Sequence, residues 1–205
     1  MARLPVSRSA AFDAVAAGAQ FRDRIAIVVH APAPAIFRAL FEVTLEEMRI
    51  AWWLGAVRYL PARLIGRAPP AHARRPFMET LIDGGTLLLR DDRPTEIVTG
   101  SAGQLHRIVD QAPVVFANRA AFDTFDDPDH EKLFMSVRVA PTGAPGEQWF
   151  VLEHATRALS PAAERKFRRY WIVIRPMGAF VTRQLLKAVA RLAERNPILD
   201  MLEDR

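Results

Sequence analysis

The sequence predicts an α+β fold in which a curved antiparallel sheet of about six or seven strands wraps around one long, kinked C-terminal helix. Three observations carry that prediction. The stretches KLFMSVRVA and QWFVLEHATR alternate apolar and polar residues, as strands with one buried face do. After Ser160 the apolar residues Phe167, Tyr170, Trp171, Ile174, Val181, Leu185, Val189 and Leu192 recur at three- and four-residue steps or their sums, the spacing of a helix with one apolar stripe. Ahead of the sheet lie a strand and two short helices.

Each element has a local cause. Arg3 and Arg8 precede SAAFDAVAAGAQF, but Asp13 and the alanine content argue against a signal peptide. A short helix capped by Ser9 is predicted instead, within an N-terminal extension over 1–23; one domain over 24–195 and a tail over 196–205 follow. Arg24 to Ala31, RIAIVVHA, is rich in β-branched residues and stops at Pro32, so it reads as a strand feeding a helix around Ala35 to Phe41. Thr44 and Glu47 form a capping box for LEEMRIAWWL. The proline- and arginine-rich stretch from Leu60 to Pro76 reads as an exposed connection.

Next, FMETLID, TLLLR and TEIVTGSAGQLHR read as short β segments joined by turns, with Gly84 and Gly85 in the first. Asp91 and Asp92 belong to the second turn rather than to a carboxylate pair, and the GSAG at Gly100 to Gly103 reads as a bulge. From Ile108 to His130 an irregular loop with one helical turn near Phe122 and Phe125 is expected. In the long helix, Pro176 lacks an N–H and its ring meets the carbonyl of Ile172, at a cost of roughly 3 kcal/mol in a straight helix. A kink or short break between Ile174 and Gly178 is therefore predicted.

Composition narrows the function classes. Of 205 residues, 50% are apolar and 25% charged, enough for one sizeable core. Charged residues interrupt every apolar run before the ~18 residues that a membrane span needs. There is no cysteine, which excludes disulfides and thiolate chemistry; a cytoplasmic location is the default expectation. The net charge of +5 comes mainly from arginines crowded into the C-terminal third, with Glu164 and Glu194 among them. No aromatic ladder accompanies them, so no nucleic-acid partner is expected.

The VVHAPAPAIFRAL start, the EIVTGSAGQLHR strand pair, FDTFDDPDHEKLFMSV and ATRALSPAAERKFRRYWIVIRP together resemble the SRPBCC superfamily, also called START-like or polyketide-cyclase-like. Those segments span most of Arg24 to Glu194. The resemblance implies a helix-grip fold and is closest to a branch of small bacterial proteins with an Arg after the last strand and a YW pair in the helix. It leaves activity open, since the superfamily includes lipid carriers, receptors, aromatase/cyclases and ring-hydroxylase subunits. Two departures from the branch pattern stand out: HATR places His154 and Ala155 where an acidic residue is usual, and His106 lies near the place of an aromatic.

A helix laid across a curved sheet leaves space for a ligand. Residues predicted to line it are Trp52, Leu88, Val98, Phe116, Leu133, Met135, Val137, Leu152, His154, Trp171, Ile174, Met177 and Phe180. The leading functional reading is binding of a hydrophobic small molecule: a lipid, a polyketide or an aromatic metabolite. The alternative is an aromatase/cyclase or dehydratase using His106 or His154, with Tyr170 or Arg90 assisting. A third reading is a partner- or membrane-interacting protein with a vestigial pocket, acting through Trp53 and the arginine-rich helix face. No cofactor and no metal site is expected, and the chain is expected to be a monomer or homodimer.

Overall fold

The computed structural model describes residues 6–48, 74–107 and 114–195. Helix α1 (Ala10–Val15) starts at Ser9, whose hydroxyl accepts from the Phe12 N–H at 3.2 Å and donates to Glu96 at 2.6 Å. Strand β1 (Phe21–Val29) leads into α2 (Ala33–Glu42) and a 3-10 turn over Leu45–Met48. At that turn the Thr44 N–H donates to the Glu47 carboxylate at 2.8 Å, the glutamate half of the expected capping box; the rest of LEEMRIAWWL, Trp52 and Trp53 included, lies outside the described residues.

Next come α3 (Phe77–Asp83), β2 (Leu87–Asp92), β3 (Glu96–Gly103), α4 (Arg119–Thr124), β4 (Glu131–Pro141), β5 (Gln148–Ala158) and α5 (Pro161–Arg195). Two expectations change here. FMETLID is the helix α3 rather than a strand: Pro76 precedes it, Met78 is buried, and Leu81, one turn on, packs against the same core. The sheet accordingly has five strands among the described residues, not six or seven, in the order β1-β5-β4-β3-β2, all neighbours antiparallel. The α+β architecture of a curved antiparallel sheet with one long C-terminal helix stands as the alternation predicted.

Register places one row of side chains across all five strands: Asp23, His154, Met135, Thr99 and Leu88. It shares a sheet face with Ile25, Leu152 and Val137, which pack against Leu185, Leu186 and Val189 of α5. The other face carries a second core, built from Phe12 of α1, Phe122 of α4, and Leu89, Val98, Ala102, Phe134 and Ala155 of the sheet. Guanidinium groups tie the N-terminal segment down over that face. Arg24 donates to the carbonyls of Val6 and Ser7 at 3.1 and 3.2 Å, Arg22 to that of Ala16 at 2.9 Å, and Arg157 to that of Ala17 at 3.1 Å.

The bulge lies on β2, between Leu88 and Arg90, whereas the GSAG of β3 pairs regularly with β4. Gly100 serves another purpose there: a Cβ on it would stand 2.6 Å from Leu89 Cδ1 and 2.8 Å from Phe122 Cζ. Gly100→Ala is expected to cost about 1–3 kcal/mol by overpacking, measured by urea unfolding; Gly143, with nothing within 4 Å of an added Cβ, has no such steric constraint.

Helix α5 begins as predicted, with Ser160 Oγ accepting from the Ala163 N–H at 3.0 Å. It runs uninterrupted from Pro161 to Arg195, so the expected short break between Ile174 and Gly178 is absent. Pro176 is exposed, so its ring sits on the water side of the helix.

Candidate functional site

Helix α5 is buried against the sheet at two ends and more exposed between them. Near its start Phe167 is buried and meets Phe21 edge-on at 4.8 Å, with Trp171 stacked on Phe167 at 5.8 Å. Near its end Leu185, Leu186, Val189 and Ala193 are buried in the main core. From residue 168 to 181 no residue of the helix is buried, including Trp171, Ile174 and Met177 of the inward stripe. On the sheet beneath, His154, Leu133 and Ser101 keep partial solvent access and Leu88 is 44% exposed. Between the middle of α5 and the concave face the side chains are thus only partly buried, and they are apolar apart from a few polar groups.

The polar groups sit at the β1 side. Asp23 and His154 are register partners on β1 and β5, and Arg175 of α5 reaches the Asp23 carboxylate at 3.4 Å. Burial pushes the His154 imidazole down to about 4, with the Asp23 charge opposing but not offsetting it. At neutral pH His154 is therefore uncharged: one ring nitrogen donates and the other accepts. Among the described residues its ring has no hydrogen-bond partner, and neither nitrogen is sealed from solvent without one. An uncharged imidazole among apolar side chains, with both nitrogens uncommitted among the described residues, suits a neutral polar group such as a hydroxyl or carbonyl.

His106 belongs to a different end of the sheet. Its Nδ1–H donates at 2.9 Å to Glu131, which is fully buried and also accepts from the Leu105 N–H at 2.8 Å. Glu131 lies four residues along β4 from Met135, the register partner of His154, a backbone separation on the order of 13 Å. The two histidines thus lie in separate rows, and only His106 is held by a partner. Glu131 was not singled out by sequence reasoning, although its inward parity with Leu133 marks it as an acid in a core position.

Of the other residues expected at a site, Met135, Val137 and Leu152 are buried in the main core on the α5 side of the sheet. Phe180, like Ile174 and Met177, is half-buried on α5. Tyr170 is half-buried and packs on Phe167 at 5.6 Å. Val98 and Phe116 lie on the opposite face, in the second core, because Val98 has the parity of Phe134 rather than of Met135. Arg90 has the parity of Val98, is exposed and pairs with Asp92. Asp23 and Arg175 were missed, since 152 positions separate them in the chain.

No protein-family model matches the chain, and no curated protein matches it. Among solved structures it is similar to the crystal structure of CalU16 from Micromonospora echinospora, at 14% identity over 84% of this chain and 88% of that one. The TM-score of that superposition is 0.29.

Proposed function

We propose that a cleft between α5 and the concave face of the sheet binds a hydrophobic small molecule carrying one neutral polar group. The observation that carries this reading is His154: an uncharged, mostly buried imidazole without a hydrogen-bond partner among the described residues, beside Met135 on the sheet face that packs against α5. Such a group lowers its free energy by bonding a ligand oxygen, and each ligand methylene buried beside it adds about 0.8 kcal/mol. The resemblance of the sequence to SRPBCC and START-like proteins agrees with a lipid, polyketide or aromatic metabolite as the ligand class. A cyclase or dehydratase acting through His106 and His154 together has less support, since acid/base catalysis on one atom needs both groups within hydrogen-bond reach of it.

The test is native mass spectrometry of gently purified protein, followed by a thermal-shift panel of fatty acids, sterols and polyketides. A ligand at a hundred times its Kd is expected to stabilise by about 2.7 kcal/mol, or roughly 5–10 °C for a chain of this length. His154→Leu is expected to remove most of the shift for oxygenated ligands and little of it for hydrocarbons. A protein that carries no small molecule and responds to none of the panel ends the reading.

A further inference from the structure

The outer side of α5 departs from the pattern of a surface helix. Ile172 and Val173 are 71% and 77% exposed, and Pro176, one turn on, is exposed as well. At about 100° per residue, Arg165, Arg169, Ile172, Pro176, Arg183 and Lys187 fall on one ridge, so an apolar centre is flanked by cations at both ends. From Arg165 to Ala193 the chain contains eight Lys and Arg and no Asp or Glu. Three of those cations have acidic partners: Lys166 with Asp129, Arg168 with Glu164 and Arg175 with Asp23. Among the described residues no carboxylate pairs with Arg165, Arg169, Arg183 or Lys187, and all four are exposed.

We propose that this ridge docks the protein on an anionic phospholipid bilayer. With α5 lying in the plane of the headgroups, Ile172 and Val173 sink below the phosphates while Arg169 and Arg183 meet them, the arrangement of an interfacial amphipathic helix. The charge selects an anionic occupant, and the apolar centre selects a bilayer among anionic occupants. A nucleic acid would use the cations but gain nothing from two aliphatic side chains where stacking aromatics are wanted. A second copy meeting this face with its own would bring like charges together.

The test uses the full chain and sedimentation with vesicles of phosphatidylcholine, alone or mixed with phosphatidylglycerol. Measurements are made at ~0.1 M and ~1 M salt, where the screening length falls from about 10 to about 3 Å. Binding is expected to the mixed vesicles only, and to be largely lost at the higher salt. Arg169→Glu with Arg183→Glu is expected to weaken it at least about 25-fold, at about fivefold for each basic side chain. Ile172→Ser with Val173→Ser is expected to weaken it too, while leaving its salt dependence in place.

Equal binding to both vesicle types, binding to neither, or unchanged affinity in both variants overturns the proposal. So does salt-sensitive binding to duplex DNA without vesicle binding, which would assign the ridge to nucleic acid. Dimerisation abolished by the serine variants, again without vesicle binding, would assign it to a second copy. Because the charge reversals are remote from His154 on the outer face, they are expected to leave ligand stabilisation intact, so failure of the docking reading and failure of the pocket reading are seen separately.

Discussion

Between pH 6.5 and pH 4 the protein is expected to lose on the order of 3 kcal/mol of stability through His154 alone. In the unfolded chain this imidazole takes up a proton near its ordinary value of 6.5, whereas in the folded protein burial holds it neutral down to about 4. In that window the unfolded state binds more protons, so stability is full above the upper value and falls as the pH falls toward the lower one. Urea unfolding at about pH 7 and about pH 4.5 measures the loss, and His154→Gln, which keeps a polar side chain but cannot titrate, isolates it. An equal acid loss in wild type and variant would show that the folded protein protonates His154 near its ordinary value, and that burial does not hold the imidazole neutral.

Phe122→Ala is expected to cost about 3–5 kcal/mol, as large as a deletion in the main core. The ring is 1% exposed and meets Phe116 and Phe134 edge-on at 5.3 and 5.8 Å, with Lys132 Nζ 4.9 Å from its centre. Burial already pushes the Lys132 ammonium below its ordinary range, so the loss of the ring face removes one of its few compensating contacts. Val115→Ala, at a position 75% exposed a few residues earlier, is expected to change stability by less than about 0.5 kcal/mol. Similar midpoints for the two variants would mean that the second core contributes little.

That second core also marks where sequence reading stops. The main core was legible because each of its elements repeats a period: Met135, Val137 and Val139 at every other position, and Leu185, Val189 and Leu192 at helical steps. Phe12 and Phe122 each stand on a six-residue helix, too short for a period to emerge. What joins them is the far face of the sheet, through Val98, Ala102, Phe134 and Ala155. In α3 the apolar Phe77, Leu81 and Ile82 fit either period over seven residues, and packing against the core decides for a helix.

The candidate site divides in the same way. The inward direction of His154 followed from parity, and so did the faces of Leu133 and Leu152. Its neighbours Asp23 and Arg175 come from the first strand and the last helix, and no local pattern connects them. Pro176 announced a break in the helix, and the helix is continuous there.

The strand order β1-β5-β4-β3-β2 leaves β1 and β2 at the margins of the sheet. Both are studded with charge: Arg22, Asp23 and Arg24 on the first, Arg90, Asp91 and Asp92 on the second. A chain adding itself in register to either margin would bring these groups beside its own strand and leave much of their charge uncompensated, whereas the apolar strands β4 and β5 have no free hydrogen-bonding edge at all. Strands β4 and β5 are thereby kept from templating growth by the order in which the strands are laid down.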